Sequence, residues 1–207
     1  MTRSAIPRTV LVLGGTRSGK SEFAERLTAS LQAPTMYLAT SIPSDPEMAD
    51  RVQRHQRRRP QEWVTLEAPR DIGSTLQAQG GDVRTVLLDS VTLWVSNLMM
   101  RVEPGRDPVP ASPGEAEYAI CQELELLWTT QAQMGLSLVL VSDEVGMGLV
   151  PDYASGRLFR DLLGTANQWL AARCDAVYLV VAGLALDCRS LAVAWPPAWH
   201  DDEEPLA

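Results

Sequence analysis

The run Gly14-Gly15-Thr16-Arg17-Ser18-Gly19-Lys20-Ser21 has the spacing G-x-x-x-x-G-K-S, which suits the cradling of a polyphosphate. Its glycines let backbone N–H groups curl around phosphate oxygens, and a helix opening behind them adds a favourable field. Lys20 is placed to reach the β- and γ-phosphates, and the Ser21 hydroxyl to ligate Mg²⁺. The expectation is a nucleoside triphosphate site. Asp89 closes the apolar run Thr85-Val86-Leu87-Leu88, a Walker B pattern in which the carboxylate holds Mg²⁺ directly or through water. Its plainer alternative is a helix N-cap. Arg51-Val52-Gln53-Arg54-His55-Gln56-Arg57-Arg58-Arg59 gathers five arginines around one of only two histidines. Arg51, His55 and Arg58 share one helical face and suit a polyphosphate. With Glu47 and Asp50 early and the arginines late, the same run also serves the helix dipole. His55 further shares its face with Met48 and Val52, as a partly buried core histidine would. Composition leaves these readings open. Ser142-Asp143-Glu144-Val145-Gly146-Met147-Gly148 combines acids and glycines as a site-facing loop would, or as an ordinary strand–helix turn.

These residues need a scaffold, and the chain offers strands alternating with helical patterns, the signature of a parallel α/β sheet. Thr9–Leu13, Thr35–Ala39, Thr85–Asp89, Ser137–Val141 and Ala176–Val181 are apolar without alternation and read as buried strands. Thr40 and Ser41 follow the second of them, at the end where open α/β sheets keep their ligands. Trp63–Leu66 reads as a short edge strand ending at Glu67. Helices are expected over Glu22–Gln32, Asp45–Arg59, Asp71–Gln79, Ser90–Arg101, Glu115–Met134 and Ala154–Arg173. Glu103–Gly114, with four prolines and two glycines, reads as a loop. From Leu184 the pattern dissolves. The expected division is one domain over 1–187 and an acidic, Trp/Pro-containing tail over 188–207.

At 207 residues and 45% hydrophobic content, one domain with a substantial core is expected. A net charge of −8 argues against a general nucleic-acid-binding surface. Cys121, Cys174 and Cys188 are odd in number and scattered, as reduced cytoplasmic thiols are. No signal peptide is visible, and no apolar stretch approaches the roughly 20 residues of a membrane span.

Taken together, these stretches resemble the bifunctional adenosylcobinamide kinase / adenosylcobinamide-phosphate guanylyltransferase family of cobalamin biosynthesis. The resemblance runs through Gly14–Ser21, Tyr37-Leu38-Ala39-Thr40-Ser41, Glu47-Met48-Ala49 with Arg51-Val52, His55, Arg59-Pro60, Trp63, Thr65 and Glu67. It continues through Leu87-Leu88-Asp89 with Trp94–Leu98, Glu144–Gly148 with Val150-Pro151, Phe159-Arg160-Asp161 and Asn167-Gln168, covering about residues 9 to 186. The His55 and Glu144–Gly148 segments are its specific parts. It implies a RecA-like P-loop fold, a mainly parallel sheet flanked by helices, often assembled as a trimer.

The resemblance implies two reactions. One moves the γ-phosphoryl group of ATP or GTP to the aminopropanol hydroxyl of adenosylcobinamide. The other moves GMP from GTP to adenosylcobinamide phosphate through a GMP–histidine intermediate, with His55 at the matching position. Ala39, Thr40, Ser41, Gln56, Arg57, Arg58, Arg59, Glu67 and Asp89 match segments that hold the guanine nucleotide. An imidazole with an ordinary pKa of about 6.5 is mostly neutral at pH 7 and a competent nucleophile. Four features depart from the family pattern, two of them the Pro-rich loop 103–114 and the tail after about Asp187, which have no clear counterpart in it. Asp143 stands where asparagine is common, and Arg54 precedes His55 where some members carry a second histidine.

Two rival readings remain. A P-loop small-molecule kinase without nucleotidyl transfer shares Lys20 and Asp89 but gives His55 no task. A RecA-type nucleotide-gated binding protein needs an extended basic or partner-binding face, and only one short basic helix is present.

Overall fold

The computed structural model describes residues 7–41, 59–102 and 108–194. Within them the strands are β1 (Thr9–Gly14), β2 (Thr35–Ala39), β3 (Val64–Glu67), β4 (Thr85–Asp89), β5 (Met100–Arg101), β6 (Val109–Pro110), β7 (Ser137–Asp143), β8 (Ala176–Val181) and β9 (Leu184–Asp187). The helices are α1 (Lys20–Ala29), α2 (Ile72–Gln79), α3 (Val91–Leu98), α4 (Pro113–Met134), α5 (Ala154–Arg173) and α6 (Cys188–Leu191). Seven strands form one sheet in the order β3-β2-β4-β7-β1-β8-β9. Every pairing in it is parallel except β8 with β9.

The unbroken apolar strands follow from helices on both faces. On one face Leu11, Leu38, Leu88, Leu138 and Leu140 pack against α2, α3, α4 and α5, with Trp94 of α3 fully buried. On the other, Val10, Val12, Leu87, Val139 and Val141 pack against Ala24, Phe23 and Leu27 of α1. Each fully buried Leu or Val contributes roughly 1.5–3 kcal/mol, so this doubly covered sheet carries much of the stability. Gly73 brings α2 close to α4, since a Cβ there would meet Leu126 Cγ at 2.5 Å.

Several boundaries differ from the sequence expectation. The first helix begins at Lys20, not Glu22, because Gly19 at φ 95° turns the chain directly into it. It ends at Ala29, where the N–H groups of Ser30 and Leu31 bond to carbonyls three residues back and tighten the last turn. The helix expected over Ser90–Arg101 is shorter, capped at Leu93 N–H by the Ser90 hydroxyl, and Met100–Arg101 instead pairs with Val109–Pro110. The expected loop thus contains β6 and the start of α4, which Ser112 and Glu115 open as a capping box. Beyond Leu184 the sheet continues. Ala182 and Gly183, at φ 50° and 81°, reverse the chain in two residues and lay β9 antiparallel to β8. Then α6 docks through Arg189, which donates to the carbonyls of Ala171 and Cys174. The helix expected over Asp45–Arg59 lies outside the described residues, apart from Arg59. So do residues 103–107 and the tail from residue 195.

Asp175 ties the start of β1 to β8. Its carboxylate accepts from Arg8 N–H at 2.8 Å and Thr9 N–H at 2.9 Å, while its own N–H donates to Thr9 Oγ1 at 3.0 Å. Partial burial pushes its pKa up, but the Thr9 and Arg8 hydrogen bonds and the Arg189 charge outweigh that and leave it lowered. A carboxylate with a depressed folded pKa stabilises above its unfolded value and loses that contribution as pH falls through the folded one. Asp175→Asn should therefore cost on the order of 1 kcal/mol at pH 7, allowing for solvent screening. In urea titrations the gap to the wild type should narrow below about pH 4, the unfolded aspartate range.

Candidate functional site

The carboxyl ends of the parallel strands gather the candidate residues along one edge. Gly14 ends β1 and pairs in register with Asp143 of β7. Ala39 ends β2 between Asp89 of β4 and Glu67 of β3. The edge therefore presents, in sheet order, Glu67, Ala39, Asp89, Asp143 and Gly14.

The phosphate loop is built by its neighbours as much as by its own sequence. Ser18 N–H bonds Gly15 C=O at 3.1 Å and closes a turn whose Arg17 sits at φ 58°. Gly15, Thr16 and Arg17 are exposed, and Lys20 and Ser21 open α1 with their N-terminal dipole towards the loop. Gly14 admits no side chain, because a Cβ would lie 2.5 Å from Ser18 Oγ and 2.6 Å from Val180 C=O. From the far side the β8–β9 turn braces the loop, with Gly183 N–H donating to Ser18 C=O at 2.8 Å. Lys20 Nζ contacts Gly15 C=O at 3.3 Å and Asp143 Oδ1 at 2.6 Å.

Asp89 stands one strand over from β7. Tyr37, on the neighbouring β2, donates its hydroxyl to Asp89 Oδ2 at 3.0 Å. Burial first, then the Asp89 charge, pushes the Tyr37 pKa well up, so the hydroxyl keeps its proton and acts as a donor. The Arg59 guanidinium covers the Tyr37 ring at 3.0 Å from its centroid and approaches Glu25 Oε1 at 3.9 Å. The last arginine of the basic run is thereby brought to the Asp89 side of the edge. Thr40 is buried, and its hydroxyl donates to Ser90 C=O and accepts from Ser90 N–H, both at 2.8 Å. Asn97 Nδ2 bonds the carbonyls of Thr40 and Pro69, each at 2.9 Å, and locks that corner. Ser41 is half-buried and Glu67 is exposed at the end of its strand.

His55, Gln56, Arg57 and Arg58 lie outside the described residues. The rest of the predicted set (Gly14 to Ser21, Ala39 to Ser41, Arg59, Glu67 and Asp89) falls on this one edge. Tyr37 and Asn97 fall within stretches that carry the resemblance, but the sequence assigned neither of them a role. A tyrosine inside an otherwise aliphatic buried strand was the available signal, since its hydroxyl requires a partner. The Asp143–Lys20 pair left no signal, because its members belong to different strand–loop units.

A mostly parallel sheet with β7 inserted between the phosphate-loop strand and the Asp89 strand defines a RecA-like P-loop α/β protein. Residues 10–188 match the family described as cobinamide kinase / cobinamide phosphate guanyltransferase, and the chain belongs to that family. It is 40% identical over 181 residues to the bifunctional adenosylcobalamin biosynthesis protein CobU of Salmonella typhimurium, covering 87% of this chain and 99% of that one. The Escherichia coli protein of the same name is 38% identical over 180 residues, with coverage of 87% and 99%. The bifunctional adenosylcobalamin biosynthesis protein CobP of Pseudomonas aeruginosa is 37% identical over 179 residues, covering 86% of this chain and 96% of that one. Among the described residues no helix is long and apolar enough to cross a membrane.

Proposed function

We propose that this chain phosphorylates adenosylcobinamide with ATP or GTP and then joins GMP from GTP to the new phosphate, yielding adenosyl-GDP-cobinamide. The observation that carries the reading is Lys20 at the mouth of α1, within a complete phosphate loop and on one sheet edge with Asp89, in a chain of this family. In the first step the aminopropanol hydroxyl oxygen attacks the γ-phosphorus, its proton passes to solvent, and the bond to the β–γ bridging oxygen breaks. ADP or GDP leaves, and Lys20 with the loop N–H groups receives the developing charge. In the second, the His55 imidazole attacks the α-phosphorus of GTP and pyrophosphate departs. An oxygen of the corrinoid phosphate then attacks that phosphorus and the imidazole leaves. Splitting the transfer in two is the usual gain of covalent catalysis.

The Ser21 hydroxyl and Asp89 carboxylate are hard oxygen donors and fit Mg²⁺. Among the described residues no three His, Cys, Asp or Glu side chains gather as a metal cage. That suits an ion completed by water and substrate phosphates. Bound there, Mg²⁺ neutralises phosphate charge. The Tyr37 hydroxyl orients the Asp89 carboxylate towards that role. Tyr37→Phe should raise the Mg²⁺ concentration for half-maximal turnover by about tenfold, and weaken Mn²⁺ binding read by electron paramagnetic resonance alike. Unchanged Mn²⁺ binding in a folded variant would separate Tyr37 from the metal.

Ala39 to Ser41, Gln56 to Arg59 and Glu67 complete the nucleotide site in this reading. We place the enzyme in the cytoplasm as a homotrimer that uses no nucleic acid, with residues 1–187 as the catalytic domain and 188–207 as a tail. Free Cys121, Cys174 and Cys188 and the net charge of −8 support that placement. The test is corrinoid-dependent turnover. Adenosylcobinamide should trigger ADP release from ATP, and its phosphate should trigger pyrophosphate release from GTP. Pyrophosphate release absent under all conditions would leave a kinase without nucleotidyl transfer.

A further inference from the structure

Lys20 already has an anion. Asp143 Oδ1 lies 2.6 Å from its Nζ, and the two side chains are only 24% and 12% exposed. The contact is built, because the backbone carrying Asp143 is gripped from two helices. Its N–H donates to Thr92 Oγ1 of α3 at 2.7 Å, and its C=O accepts from Asn167 Nδ2 of α5 at 3.1 Å. Asn167 is itself buried and accepts the Ser142 hydroxyl at 2.7 Å. An ammonium has three N–H donors. One meets Gly15 C=O at 3.3 Å and one meets Asp143, which leaves a single donor for a phosphate oxygen. A polyphosphate and the Asp143 carboxylate are like charges directed at one cation, and they repel at this range.

We propose that Asp143 is a resident competitor for Lys20, setting how tightly the loop holds nucleotide and how readily it gives up pyrophosphate. The inference rests on Lys20 being the phosphate ligand. Without nucleotide the ammonium is neutralised, so a small anion meets a weakened field at the N-terminus of α1. A triphosphate that also engages the loop N–H groups displaces the carboxylate. After guanylyl transfer the same carboxylate, on a backbone held by α3 and α5, reclaims Lys20 as pyrophosphate leaves.

Calorimetric titration with a non-hydrolysable GTP analogue plus Mg²⁺, and separately with pyrophosphate, tests this on the full chain. Asp143→Asn keeps the shape and removes the charge, and Asp143→Ala removes the polar group altogether. Both should bind both ligands on the order of tenfold more tightly than the wild type. Combined with Lys20→Ala, the effect of either substitution should be non-additive, since each of the two side chains acts through the other, and strict additivity overturns the proposal. Unchanged or weaker binding in both variants, with melting curves like the wild type, overturns the proposal. Tightening in Asp143→Asn alone also overturns it, because the new amide would then be donating to phosphate. A wild-type protein that binds neither ligand removes the phosphate-loop reading itself, and the competition with it.

Discussion

Lys20→Ala lowers both activities together, by on the order of 10²-fold or more in kcat/KM. Each reaction develops negative charge on a phosphate held by the same loop, and Lys20 is the cation at the mouth of α1. The substitution also strips Asp143 of the ammonium 2.6 Å away and leaves a carboxylate facing the incoming phosphates. Affinity and rate should therefore both suffer. Steady-state assays of ADP formation with adenosylcobinamide, and of pyrophosphate formation with its phosphate, read the two effects separately. Wild-type values in both assays would move the chemistry away from this loop.

The central strands of the sheet were legible because they are buried on both faces. Thr9–Leu13, Thr35–Ala39, Thr85–Asp89 and Ala176–Val181 are apolar without a break, and helices cover them above and below. The β8–β9 hairpin was illegible for the opposite reason. All four residues of β9 are exposed, so burial imposes no pattern on Leu184–Asp187. Its turn uses Ala182 at φ 50°, where sequence rules lead one to look for Asn, Asp or Gly. That hairpin brings Gly183 to the phosphate loop, a contact that spacing along the chain does not foreshadow. The site divides in the same way. Gly14 to Ser21 and Asp89 announce themselves through local motifs. The Tyr37–Asp89 and Lys20–Asp143 contacts instead arise from strand order, which places β2 beside β4 and β7 beside β1.

The second large effect is expected at His55. Incubated with GTP labelled at the α-phosphate and Mg²⁺, without corrinoid, the enzyme should acquire a covalent label and release pyrophosphate. The bond should be labile in acid and comparatively stable in base, as a phosphoramidate is and a serine ester is not. His55→Ala should abolish the label and the guanylyl transfer. The kinase step should remain measurable, because the γ-phosphoryl group passes directly to the substrate hydroxyl. His200, the other histidine, should be dispensable. Full labelling of the His55→Ala protein would refute the assignment. Loss of both activities in a folded variant would make His55 a general nucleotide ligand.

One chain should perform both transfers on one corrinoid. Adenosylcobinamide incubated with the purified protein and GTP labelled at both the α- and γ-phosphates tests it in a single reaction. The γ-label marks the phosphate added by the kinase step, and the α-label marks the GMP added afterwards. The corrinoid product should carry both labels in equal amounts, joined in one diphosphate. A corrinoid carrying the γ-label alone, or neither label, would show that this chain does not carry out both transfers.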